Sequence, residues 1–151
     1  MKYLEDFRVG EVIDLGTATL TEEEIVEFGR RYDPQPFHVD PEAARESVFG
    51  GLIASGWLTG SLFMRLFTTG VLNKYSSLGS PGLEELRWLR PVRPGDVLRG
   101  RYEILAVTPS ASSPGRGTVR GAGEFVNQDG EVVMRLVARN HFRKRDASST
   151  V

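Results

Sequence analysis

In the run YDPQPFHVD, residues 32–40, an imidazole stands between two carboxylates: Asp33 precedes His38 by five positions and Asp40 follows it by two. His38 is one of two histidines in the chain, and imidazole is the side chain whose charge changes near neutrality. A neutral imidazole and a nearby carboxylate are able to hold one water between them, one group taking a proton while the other returns one. That pairing suits addition of water across a polarised double bond, or its removal. The interval from Asp33 to His38 is not a helical face, and Pro34 and Pro36 fall inside it. The two side chains therefore meet only if a shaped loop turns back on itself. A histidine held by a neighbouring aspartate is also a common structural hydrogen bond, so spacing alone leaves both readings open.

Asp40 reads differently. It directly precedes Pro41, and an aspartate followed by proline marks a helix N-cap and first helical position. His38 and Asp40 do not suggest a metal site, because the other imidazole is His141 and there is no cysteine. His141 alternates with its neighbours in a terminal strand run and is expected to be a strand residue. Ser55 and Ser61 lie in no G-x-S-x-G pattern. GAG at 121–123 lacks the strand–turn–helix setting of a dinucleotide site. Gly56 is a stronger candidate. It falls near the start of a helical run, where backbone N–H groups lack partners and point outward, a place suited to a carbonyl oxygen gaining negative charge. The same glycine would also serve simply to let a helix pack closely.

These residues need elements to position them. VGEVIDLGTATL (9–20) reads as a strand and its approach. TEEEIVEFGRRY follows as a helix, with Thr21 as N-cap, Glu24 completing a capping box, and Ile25, Phe28 and Tyr32 on one face. Pro34 stops it by biasing Asp33 away from the helical region. A short helix begins at Pro41 and ends at Gly50-Gly51. LIASGWLTGSLFMRLFTTG (52–70) is the most apolar part of the chain and reads as a buried central helix. Its Leu62, Phe63, Leu66 and Phe67 are core residues, of which one or two would touch a substrate. From Gly82 four strands are expected, GLEELRWLRPV, DVLRGRYEILAVT, GTVRGAGEFVNQDG and EVVMRLVARNHF, with turns at RPGD (93–96) and NQDG (127–130). Residues 144–151 read as a frayed tail. The economical way to cover a long buried helix is a curved antiparallel sheet wrapped around it, an α+β fold.

The bulk numbers agree. The 151 residues fit one domain, 1–151, able to bury roughly 70% of its unfolded surface. The absence of cysteine excludes disulfides, thiolate metal sites and a cysteine nucleophile. A net charge of −1 argues against a nucleic-acid partner. No apolar run is long enough to span a bilayer, and MKYLEDFRVGE does not read as a signal peptide. The expected setting is cytoplasmic, with no membrane partner.

YDPQPFHVDPEAARESVFGGLIASG together with RWLRPVRPGD resembles the MaoC-like dehydratases, the (R)-specific enoyl-CoA hydratases of the hotdog fold. Asp33, His38, Asp40 and Gly56 stand in the order and spacing of that family's pattern, and DFRVGE and LRPVRPGD are also typical of it. The resemblance implies a five-stranded sheet around the long helix and a homodimer joined edge to edge. It implies a hydratase or dehydratase acting on an acyl-CoA or acyl-carrier thioester with no cofactor. It further implies that Asp33 and His38 form a catalytic dyad, Asp33 as the main base, and that the Gly56 N–H binds the thioester oxygen. Two positions depart from the pattern. Gln35 stands where Asn is common, and Ser55 stands before the glycine where His is frequent. The alternatives are a hotdog thioesterase or a non-catalytic acyl-thioester binder. Hydrolases of this fold commonly place a carboxylate on or beside the helix, and none occurs from Gly56 to Tyr75.

Overall fold

The computed structural model describes residues 1–146. Five antiparallel strands form one sheet: β1 (Val12–Thr19), β2 (Gly82–Trp88), β3 (Val97–Pro109), β4 (Arg116–Val126) and β5 (Val132–Arg143), in the order β1-β3-β4-β5-β2. Alternation decides which face meets the core. Along β3, Leu98, Tyr102 and Ile104 are buried while Arg99, Arg101 and Glu103 are exposed, the period of two expected of a half-covered sheet. The outer face is laced by ion pairs: Glu124 lies between Arg101 and Arg135, and Glu84 between Arg120 and Arg139.

Against the inner face lies α4 (Gly56–Phe67), which buries Leu58, Thr59, Leu62, Phe63 and Phe67. Phe63 meets the edge of Phe125 with ring centres 5.3 Å apart, and Phe67 lies 4.6 Å from Tyr102. The GAG of β4 acquires a physical role here. A Cβ on Gly121 would collide with the Tyr102 ring and one on Gly123 with Phe63, so two missing side chains let two aromatic rings fill the core. The architecture is that of an α+β hotdog.

Three smaller helices stand between β1 and α4: α1 (Glu22–Tyr32), α2 (Pro36–Val39) and α3 (Pro41–Glu46). Thr21 caps α1 by accepting from the Glu24 N–H at 3.1 Å. The expected reciprocal half of the box differs, since the Glu24 carboxylate accepts from the Thr21 hydroxyl. Asp40 caps α3 through the N–H groups of Glu42 and Ala43. The run expected as a loop contains a single helical turn, α2, because Pro36 supplies a preformed φ at its first position. The central helix starts at Gly56 rather than Leu52. Leu52–Ser55 is non-helical instead, tied by Ile53 N–H to Phe37 O at 3.1 Å and by Ala54 N–H to Val92 O at 2.8 Å. A π turn, Thr68–Leu72, continues α4 at its far end. Of the tail, Lys144 and Arg145 are held rather than frayed: Lys144 N–H donates to Gly115 O at 2.9 Å and Arg145 pairs with Asp6 at 2.8 Å. Residues 147–151 lie outside the described residues. Among the described residues no helix is long and apolar enough to cross a membrane.

Candidate active site

Asp33 is the C-cap of α1 and leaves the helix at φ −152° and ψ 71°. Pro34 forces that exit by excluding the helical region for its predecessor. The chain then turns into α2, which carries His38 back toward Asp33, so that Nε2 faces Asp33 Oδ2 at 3.2 Å. His38 is buried, and its Nδ1 stands 2.7 Å from Ile53 O. A carbonyl oxygen only accepts, so Nδ1 carries a proton and donates. In the neutral ring Nε2 is then a bare lone pair facing a carboxylate. The two atoms bond directly only with a proton between them; otherwise a water that donates to Nε2 and to the carboxylate joins the two residues.

Both residues that depart from the family pattern grip Asp33. Gln35 Nε2 donates to Oδ1 at 2.7 Å, and Ser55 Oγ donates to Oδ2 at 2.7 Å. Burial raises the Asp33 pKa, but the hydrogen bonds from Gln35 and Ser55 and the His38 charge together outweigh it and hold the carboxyl below the ordinary carboxylate value. Asp33 is thus a carboxylate at neutral pH, the form able to accept a proton.

Gly56 is the first residue of α4, where an N–H has no partner within the helix. Asp33, His38 and Gly56 line one cavity of about 540 Å³, walled by Phe37, Phe49, Ile53, Trp57, Trp88 and Val92. The indole of Trp88 lies against the Cα of Gly56 and meets Trp57 edge-on at 5.2 Å. Close packing and an exposed helix terminus therefore coincide at this glycine. A larger polar groove of about 1190 Å³ opens beside Tyr75, Ser76, Arg116 and Arg143, but none of the candidate residues lines it.

Asp40 faces its own helix as a cap, and His141 bonds Thr118 across two strands at 2.9 Å, both as the sequence suggests. Leu62, Phe63 and Phe67 fill the core, and neither they nor Leu66 is among the residues lining the cavity. Sequence reasoning missed the support given by Ser55 and the Ile53 carbonyl, and the wall made by Trp88. A serine directly before a helix is a cap signal, but the sequence reading put Ser55 inside the helical run, and its reach to Asp33, 22 residues away, has no local signal.

Fold and site together define an α+β hotdog domain carrying an Asp–His pair at the mouth of its central helix. Residues 6–120 match the model of the MaoC-like domain, and the chain belongs to that family. It is similar to the crystal structure of a MaoC-like dehydratase from Rhodospirillum rubrum, at 42% identity and a TM-score of 0.89, covering 97% of this chain and 99% of that one. It is also similar to the (R)-specific enoyl-CoA hydratase of Rhodospirillum rubrum, at 30% identity over 92% of this chain and 94% of the relative. Against Protein MaoC of Klebsiella aerogenes it is 33% identical over 66% of its own length, but spans only 30% of that longer protein.

Proposed function

We propose that this chain adds water to a trans-2-enoyl thioester, most simply one carried on CoA, and catalyses the reverse dehydration. The observation that carries this is the Asp33–His38 pair, 3.2 Å apart, in a cavity shared with the free end of α4. Water held between Asp33 and His38 loses a proton to Asp33 as its oxygen bonds C3. The C2–C3 π electrons shift toward the thioester carbonyl, whose oxygen gains charge against the Gly56 N–H. A proton from the pair then reaches C2, so the elements of one water are added and neither partner is consumed. The family and the named activities of its relatives support a hydro-lyase. A homodimer is the proposed assembly, supported by edge strand β2, where Leu83 stands half-exposed.

The test is loss of the conjugated enoyl absorbance with crotonyl-CoA and longer enoyl-CoAs. Asp33→Asn and His38→Ala should each lower turnover by about 10²–10⁴ while circular dichroism shows a folded chain. Near-normal rates in both variants would end the dyad reading, and release of free thiol with a saturated acyl-CoA would favour a thioesterase.

A further inference from the structure

One buried side chain touches both halves of this proposed machinery. Ser55 is fully buried. Its Oγ donates to Asp33 Oδ2 at 2.7 Å and accepts from the Trp57 N–H at 3.3 Å. A hydroxyl has one proton, and here it is committed to Asp33. The acceptor side of the same oxygen caps α4 at its second N–H, that of Trp57, and leaves the first, that of Gly56, outside the cap. Gln35 takes one lone pair of Asp33 Oδ1, while Ser55 and His38 both face Oδ2. The lone pair remaining on Oδ1 is the acceptor left for a water.

We propose that Ser55 is a positioning residue that sets the base and the thioester-oxygen donor in register. Its proton fixes the plane of the Asp33 carboxylate, and its lone pair fixes the first turn of α4, so that Oδ1 meets the water and Gly56 N–H meets the carbonyl oxygen. The sequence departure at this position is then a functional replacement. This inference rests on the hydratase reading. The other titratable or charged groups lining the cavity with Asp33 are His38, from α2, and Arg90, which stands beyond β2 and is tied to Glu131 at 2.8 Å. Removing the Ser55 hydroxyl leaves both in place, so a change in the titration of Asp33 reports the lost hydrogen bond.

Three variants separate positioning from folding. Ser55→Ala removes hydroxyl and cap together. Ser55→Gly removes the hydroxyl but keeps a residue nearly as good at the N-cap. Ser55→Thr keeps the hydroxyl. Crotonyl-CoA hydration is followed against pH, and the Asp33 carboxyl is titrated by ¹³C NMR, assigned with Asp33→Asn. The Ala and Gly variants should lose about 10- to 100-fold in kcat with KM held within about twofold. The acid limb of kcat/KM and the Asp33 titration should both move to higher pH, and Thr should restore both. Active Ala and Gly variants with kcat within about twofold of wild type, or an unmoved Asp33 titration, would overturn the proposal. A wild type inert on every enoyl-CoA would instead overturn the hydratase reading, and the NMR titration would still decide whether Ser55 holds Asp33.

Discussion

Gly56 and Gly60 stand one turn apart on α4 and offer the same substitution in two surroundings. A Cβ at Gly60 meets nothing within 4 Å. One at Gly56 would lie 2.5 Å from Cδ2 and 2.7 Å from Nε1 of Trp88, far inside the roughly 3.5–4.0 Å at which carbon atoms attract. Gly60→Ala therefore gains only helix propensity, about 0.8–1 kcal/mol, and should raise Tm by about 2–4 °C in a chain of this size. Gly56→Ala gains less, because it sits at the helix start, and must displace an indole. Moving Trp88 forfeits its edge contact with Trp57, about 0.5–1.5 kcal/mol, and adds overpacking strain of about 1–3 kcal/mol. Trp88 is 43% exposed, so it has room to swing, and the low end of both ranges applies. A net loss of about 1–2 kcal/mol is expected, a fall in Tm of roughly 2–8 °C. Turnover should fall with it, since both residues line the cavity, while Gly60→Ala stays near wild type. Thermal unfolding by circular dichroism and enoyl-CoA hydration read the two effects. The double variant with Trp88→Ala completes a cycle whose coupling should lie within about 0.5–3 kcal/mol. A Gly56→Ala protein that melts at or above the wild-type temperature, or a coupling of zero, would refute the collision.

Gly121→Ala should destabilise more sharply. Its Cβ would meet the ring of Tyr102, which is 1% exposed and has no way out; about 1–3 kcal/mol is expected, read as a lowered urea midpoint, and an unchanged midpoint would be fatal. Stability should also fall in alkali. Burial pushes the Tyr102 phenol up to about 12, while an unfolded tyrosine ionises near 10. Below pH ~10 both states keep the proton; between ~10 and ~12 only the folded state does, so unfolding becomes easier by about 2–3 kcal/mol. Tyr102→Phe should remove that part of the slope in urea titrations at successive pH values, and an identical slope in the variant would contradict it.

Much of the scaffold was legible because it rests on local rules. Thr21 and Asp40 announce their helices as caps, Gly130 takes φ +76° where NQDG turns, and the alternation along β3 shows which face is buried. What was not legible depends on side chains far apart in sequence. The convergence of Asp33 and His38 needs the helical turn of α2, which two prolines made look like a loop. The start of the central helix was placed four residues early, because Leu52–Ala54 is apolar for a different reason. It is a buried non-helical strap, and its backbone bonds go to Phe37 and Val92. GAG at 121–123 has no local signature of its purpose, since only the opposing rings of Tyr102 and Phe63 explain the missing side chains.

The outer face of the sheet, with Glu84 and Glu124 each shared between two arginines, has a practical meaning. The side chains that hold Asp33 lie between residues 35 and 55, on the opposite side of the sheet. Beyond that segment, the sheet end reaches the cavity through Trp88 and the short run to Val92. The outer arginines and glutamates do not line that cavity, and away from edge strand β2 that surface is a free canvas. It is where the molecule could be recharged, tethered to a support or fused to a carrier while the machinery on the other side keeps its geometry.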